Sequence, residues 1–399
     1  MTASLAPGTA YDLAPLLSLL LLGALLAGVP TLWVAWRHRR GSALQRRQAL
    51  RVLTLFLTFD LVIFGAFTRL SDSGLGCPDW PGCYGHASPL GAHTHIAAAQ
   101  SMLPDGPVTH AKAWIEMLHR YLATTVGALI VWLTVLDWRD WRQGRRNAGP
   151  APCAARRPWP WLSSLTLVWV CLQGAFGAWT VSMKLFPAIV TLHLLGGMGL
   201  LVLLCLSALR GGDAAVPTQT MSLPLRRLLA WSSGLLVLQV ALGGWVSSNY
   251  AVLACGDFPT CQGRWWPEMD LAQGFTLWRS LGMTASAEPI SFAALTAIHY
   301  VHRLAAYAVL GVLMVLAWQL NRHSAWRLPS RVLAALIGLQ LASGLGNVVL
   351  GWPLAAALLH SGGAAALLLT LTWVAARVRW RDASEPTPMA TVRSSEGRV

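Results

Sequence analysis

The sequence is short of charge. Asp, Glu, Lys and Arg supply only 12% of its 399 residues, against roughly 25% in an ordinary soluble domain. That scarcity excludes a soluble globular domain. Seven cysteines in 399 residues are too few for a disulfide-dense secreted scaffold. An apolar fraction of 55% excludes a disordered chain. The first 15 residues hold no Arg or Lys, so a mitochondrial transit peptide and the positive region of a cleaved signal are both missing. Acidic residues are scarcer than basic ones, 16 against 30, which leaves a formal net charge of +14. In a soluble protein that balance would suggest nucleic acid. Here the apolar residues come in blocks near 20 long that carry almost no charge. A helix of that length crosses the ~30 Å hydrocarbon core, and the blocks are too long for the strands of a porin-type barrel. A polytopic helical membrane protein remains.

Hydropathy predicts nine spans, at about 13–36, 50–70, 111–136, 161–182, 187–209, 227–248, 291–320, 330–350 and 354–376. Arginines gather in every second connection. Arg37, Arg39, Arg40, Arg46, Arg47 and Arg51 follow the first span, and Arg139, Arg142, Arg145, Arg146, Arg156 and Arg157 follow the third. Further basic groups follow the fifth, seventh and ninth. Basic connections stay in the cytoplasm, so the long, Arg-poor connections 71–110 and 249–290 are expected outside. The N-terminus is then outside and the C-terminus cytoplasmic. The first span is expected to be a retained extra helix, and the polar tail 379–399 to be disordered.

The other eight spans fall into two matching fours. Gly65 to Cys77 lines up with Gly243 to Cys255, each Cys twelve residues past its Gly, and Cys83 and Cys261 follow at equal distance. Ile115-Glu-Met-Leu-His-Arg120 aligns with Ile298-His-Tyr-Val-His-Arg303. His193 and His360 recur in the last span of each half. Four spans per repeat is an even number, so both halves keep one orientation, with a pseudo-twofold axis along the membrane normal. The expected fold is an all-α polytopic membrane protein of two four-helix bundles plus the extra first helix. Its segments are 1–49 (extra helix and basic loop), 50–210, a linker 211–225, 226–378, and the tail.

His119, His193, His302 and His360 carry the strongest chemical signal, because polar rings inside spans are costly and mark function. A single intramembrane His is commonly glue between helices; two per bundle in matching places are not. His119 is about eight residues into its span and His193 about six, on the order of 10 Å below the outer surface, and His302 and His360 reach similar depth. Each pair can face across its bundle at one level, the geometry of bis-imidazole haem ligation. Zinc would want Cys or carboxylate partners beside them.

Arg120 and Arg303 follow their histidines directly and are candidate haem-propionate partners; the alternatives are a snorkelling side chain or a protein carboxylate. Glu116 lies one turn before His119, where the second half has His299. One reactive site and one electron-transfer site would explain that difference. A carboxylate there could carry protons or stabilise a cation, or simply pair with Arg69 or Arg120. Cys77–Cys83 and Cys255–Cys261 are expected disulfides of an oxidising compartment, with loop-pinning favoured over thiol exchange. Cys171 and Cys205 read as apolar packing residues, and Cys153 as cytoplasmic. Asp60 is an intramembrane acid with no counterpart, and His86, His93, His95 and His110 read as solvated loop residues. The 21 Trp read mostly as interfacial anchors.

Phe67-Thr-Arg-Leu-Ser-Asp-Ser-Gly-Leu-Gly-Cys-Pro-Asp-Trp-Pro-Gly-Cys83 with Glu116-Met-Leu-His-Arg120 resembles the haem A synthases, over residues from about 50 to 377. The resemblance implies oxidation of the C8 methyl group of haem O to a formyl group by successive hydroxylations. It implies a haem b cofactor on His302 and His360 of the C-terminal bundle. His119 and His193 would flank the substrate haem O, Glu116 would be the carboxylate required for oxidation, and Cys77 and Cys83 the outer pair associated with activity. A bacterial cytoplasmic membrane is implied as location. The implied partners are the enzyme that supplies haem O, an electron donor, the terminal oxidase assembly machinery as haem A acceptor, the lipid bilayer and, as a candidate homo-oligomer, a second copy; nucleic acid is not among them. The rivals are a dihaem b-type cytochrome taking electrons from quinol and, ranked low, a transporter.

Overall fold

The computed structural model describes residues 14–147, 160–211 and 218–378. The expected tail and Cys153 lie outside the described residues. Eleven α-helices occur among those described: α1 (Ala14–Arg37), α2 (Ala43–Leu70), α3 (His93–Met102), α4 (His110–Asn147), α5 (Trp161–Ser182), α6 (Pro187–Arg210), α7 (Leu223–Ser248), α8 (Leu271–Gly274), α9 (Phe292–Asn321), α10 (Arg327–Val349) and α11 (Leu354–Ala376). All but α3 and α8 are long and apolar enough to cross a membrane. The protein is therefore a multi-pass, all-α membrane protein. Apolar side chains point outward as well as inward: Leu25 and Leu32 are more than 70% exposed, at 73% and 71%, as lipid-facing residues should be.

One helix start and one helix end depart clearly from the hydropathy reading. α2 begins seven residues before position 50, because Ser42 and Gln45 form a reciprocal capping box ahead of the apolar run, satisfying backbone N–H groups that would otherwise be orphaned. α4 runs eleven residues past 136 as an amphipathic extension rich in Arg and Trp. The expected basic loops at this end are thus largely helical.

α2, α4, α5 and α6 close one four-helix unit, and α7, α9, α10 and α11 close the second in the same cyclic order. α6 packs on α7 and α11 on α2, while α6 and α11 meet each other, so these helices line the junction. α1 lies outside the first unit against α4, with Gly23 allowing close approach to Thr124. The backbone keeps the repeat where side chains have diverged. Left-handed residues occur in pairs at equivalent places: Asp72 (φ 53°) with Tyr250 (φ 54°), and Leu185 (φ 59°) with Trp352 (φ 66°). Asp72 and Tyr250 also meet across the junction, the phenol donating to the carboxylate at 2.6 Å.

The two ends of the bundle differ. The largest apolar core includes Leu229, Leu236, Leu313, Leu316, Leu367 and Leu371, all in the half nearer the arginine-rich end. Val126, Ile130, Leu200 and Leu204 form the matching floor of the first unit. At that end Arg51 is buried and pairs with Asp137, which also accepts from Ser163; Arg47 pairs with Asp140. Arg51 additionally donates to the Gly211 carbonyl at 3.1 Å. Asp137→Ala leaves the Arg51 guanidinium buried without its counter-ion, a loss of about 3 kcal/mol. The melting temperature of the detergent-solubilised protein is expected to fall clearly, and more than for Asp140→Ala, whose carboxylate is more exposed.

Candidate functional site: two pairs of intramembrane histidines

Each of the four histidines lies against a glycine on the neighbouring helix. A Cβ built on Gly65 (α2) would stand 3.0 Å from Cε1 of His119 (α4), and one on Gly177 (α5) 3.4 Å from Cε1 of His193 (α6). In the second unit the distances are 3.2 Å from Gly243 (α7) to His302 (α9) and 3.2 Å from Gly344 (α10) to His360 (α11). Contacts of 3.0–3.4 Å are tighter than a side chain normally tolerates, so glycine is what lets the Cε1 edge of each ring come this close to the neighbouring helix. Gly65 and Gly243 belong to the aligned segment; Gly177 and Gly344 were not singled out, although each precedes its His by sixteen residues. Within each unit the two rings are close enough to interact electrostatically, His119 with His193 and His302 with His360. All four are half-buried. Gln173 and Gln340 recur with them, each donating to the carbonyl of its histidine, His193 or His360, at 2.9 Å.

The cysteines form the two expected disulfides, Cys77–Cys83 and Cys255–Cys261. Both loops share one internal scaffold. Asp79 accepts from the N–H groups of Tyr84 (2.6 Å) and Gly85 (2.8 Å), and Asp257 from those of Gln262 (2.7 Å) and Gly263 (3.0 Å). The Thr260 hydroxyl and these N–H groups hold the Asp257 carboxyl well below the usual range, at about 2.

Arg120 and Arg303 reach into these loops. Arg120 donates to the carbonyls of Asp79 (3.1 Å), Pro81 (3.1 Å) and Gly82. Arg303 donates to those of Asp257 (2.9 Å), Thr260 (2.8 Å) and Cys255 (3.1 Å). Both side chains are buried and engaged with backbone acceptors, so each helix is tied to the loop that caps its own unit. Neither pairs with a snorkelling environment, and the expected propionate role would have to share donors already in use.

Glu116 breaks the repeat. It is 4% exposed. One carboxylate oxygen accepts from the Cys77 N–H at 2.8 Å and the other pairs with Arg120. Of the two pairings open in the sequence the structure takes Arg120; Arg69 instead donates to Ser247 O across the junction at 2.5 Å and stacks on Tyr250. Gly76 brings the loop onto α4 so closely that a Cβ would stand 2.6 Å from the Ala113 nitrogen. Glu116 thus ties disulfide loop, Arg120 and the His119 helix together. His299 is buried in the same place of the second unit.

The remaining candidates are dispersed. Asp60 is exposed on α2. The rings of His93 and His110 lie 4.6 Å apart and His95 stacks on Tyr84, but no group of three potential metal ligands occurs among the described residues. Cys205 is buried as expected and Cys171 is exposed. Arg279, which sequence reasoning passed over, is 3% exposed in the second outer connection and donates to Asn249 Oδ1 at 2.6 Å; nothing in its local sequence distinguishes it from a loop arginine.

Duplicated four-helix units, each with a glycine-cradled histidine pair and a disulfide loop, define an internally duplicated multi-pass membrane protein. The chain belongs to the cytochrome oxidase assembly protein family (COX15-CtaA), whose model matches residues 48–372. It is 38% identical over 325 residues to the "Heme A synthase" of Shewanella oneidensis, covering 81% of this chain and 93% of that one. The Caulobacter vibrioides protein of the same name is 29% identical over 354 residues, covering 81% and 93%. That of Halalkalibacterium halodurans is 24% identical over 338 residues, covering 82% and 96%.

Because the Asp257 pKa is depressed, its loop bonds stabilise fully above the unfolded value of about 4 and are lost as pH falls through about 2. Hydrogen exchange at the amides of Gln262 and Gly263 is expected to lose protection in that window. In Asp257→Asn the acid step should be absent.

Proposed function

We propose that the protein is a haem A synthase, an oxidoreductase that converts haem O to haem A by oxidising the C8 methyl group to a formyl group through successive hydroxylations. The observation that carries this reading is a break in the doubled site: Glu116 stands where the second unit has His299. Both units carry the glycine-cradled His pair and the Arg-tied disulfide loop, but only the first has Glu116. Two equivalent electron-transfer sites would not need that difference. The naming of the relatives supports the same reaction.

The donor set fits haem. Two imidazoles per unit, each set against a glycine, suit a planar group with axial ligands, and no group of three potential metal ligands of the kind zinc takes occurs among the described residues. His302 and His360 would hold haem b as cofactor, which supplies one-electron transfer when bound. His119 and His193 would orient haem O as substrate. The apolar floors beneath both units exclude water from the inner half of each bundle. Glu116 stands one turn beyond His119 toward the disulfide loop. Methyl oxidation sheds protons as well as electrons, and the Glu116 carboxylate is held by Cys77 N–H and Arg120 where it can accept one at an Oε atom. Arg120 and Arg303 serve first as anchors of the loops over each haem edge, and any contact with propionates would be made from that anchored position.

The arginine-rich end would face the cytoplasm and the disulfide end outward, in a bacterial cytoplasmic membrane. The partners would be the enzyme that delivers haem O, an electron donor, and the terminal oxidase assembly machinery that takes haem A.

Expression with a haem O source, followed by extraction and mass analysis of the haems, tests the reaction. Haem A is expected; two haem b with haem O unchanged would identify a dihaem cytochrome instead. Glu116→Gln is expected to keep its haem content while haem A yield drops at least tenfold, with haem O or a hydroxylated intermediate accumulating. Normal haem A from that variant would remove Glu116 from the reaction.

A further inference from the structure

The two histidine pairs differ behind the ring. In the second unit, both Nδ1 atoms have a polar partner. Nδ1 of His360 lies 3.1 Å from the Ser343 hydroxyl, and that hydroxyl already donates to the Leu339 carbonyl at 2.6 Å. Its oxygen is therefore left to accept, which puts the imidazole proton on Nδ1 and the lone pair on Nε2. Nδ1 of His302 lies 3.0 Å from the Gln239 carboxamide nitrogen, which also donates to the His302 carbonyl at 3.1 Å. Turned over, the carboxamide sets Oε1, which is buried with no other partner, against Nδ1, where it receives an Nδ1–H when His302 ligates through Nε2.

In the first unit both partners are gone. The repeat puts Leu61 at the place of Gln239 and Phe176 at that of Ser343. Nδ1 of His119 and Nδ1 of His193 are buried without any hydrogen bond. Packing alone holds these rings: Gly65 and Phe64, whose ring stacks on His119 at 6.3 Å, on one side, and Gly177 on the other.

An acceptor hydrogen-bonded to the far ring nitrogen fixes the tautomer and raises the basicity of a ligating imidazole, and its loss costs about 10–100-fold in affinity. We infer that Gln239 and Ser343 are positioning residues that make the second histidine pair the retentive haem site, and that Leu61 and Phe176 leave the first pair deliberately weak, so that its haem can enter and leave. This rests on the assignment of His302 and His360 as ligands of haem b. It adds that the difference between cofactor and substrate sites is written in four residues that do not touch the haem. A substrate pocket needs such weakness: haem O must come in and haem A must go out, whereas the cofactor must stay.

The test uses full-length protein purified in detergent with its haem b. Excess apomyoglobin serves as haem acceptor, and redox titration gives the midpoint potential. Gln239→Leu and Ser343→Ala are each expected to speed haem release about 10–100-fold and to raise the potential, since the imidazole becomes a poorer donor. Gln239→Glu, with a full acceptor at Nδ1–H, is expected to lower it. Ser343→Thr keeps the hydroxyl and should restore slow release. The paired change Leu61→Gln, Phe176→Ser is expected to leave the first unit holding haem through purification. Release and potential unchanged in all variants would overturn the inference. So would faster release with an unmoved potential, because that is the behaviour of a packing defect. If instead His302→Ala and His360→Ala keep their haem, the ligand assignment itself falls, and the two failures are told apart.

Discussion

The constraint on which the rest depends is the close contact between an imidazole and a neighbouring helix backbone. Four times, the Cε1 edge of a histidine ring comes within 3.0–3.4 Å of where a Cβ would stand. A methyl group at any of these glycines would push the ring off the wall or the helices apart, and a packed membrane interior has little slack to absorb either. The glycines also let helices α2 and α4, and their counterparts, approach as small residues do throughout membrane bundles. The site is consequently not a hole left between helices. It is a spacing imposed on them, with the leucine-rich floor closing one end.

The other end is closed by charge spent on backbone. A guanidinium buried in a span is expensive unless its donors are satisfied. Arg120 and Arg303 are satisfied by carbonyls that a tight disulfide loop turns toward them. Loop and arginine therefore need each other: the loop supplies acceptors that no helix could offer, and the arginine supplies donors to a chain segment that forms no regular structure. In the first unit Glu116 joins this arrangement and pairs with the same arginine. The acid is thereby rigid and buried, which differs from a carboxylate free to swing.

Spans and repeat were legible because both are properties of spacing. Hydropathy located all nine long helices, and Cys and His registers exposed the duplication. The start of α2 was hidden by arginines that look like loop but lie behind a Ser42–Gln45 capping box. α3 and the extension of α4 were hidden because polar helices carry no hydropathy signal. At the site, the four histidines and both disulfides could be named from the chain. Of the partners of Arg120 only Glu116 could, since the other oxygens it reaches are main-chain ones some 40 residues away, and every residue has one. Gly177 and Gly344 were readable in principle from their common distance to a histidine, but glycine is abundant in membrane helices and a lone recurrence does not stand out. Gln239 and Ser343 gain meaning only through what replaces them in the other half.

The bond between Tyr250 and Asp72 bears on how such a chain can arise. The two residues hold the same place in their respective halves and touch each other across the junction. A dimer of identical half-length chains would set like against like there, two carboxylates that repel or two phenols with no preferred geometry. Joining the halves into one polypeptide lifts that restriction, because each position can then mutate without its twin. The contact makes the two units complementary pieces, each carrying the half of the bond that the other lacks.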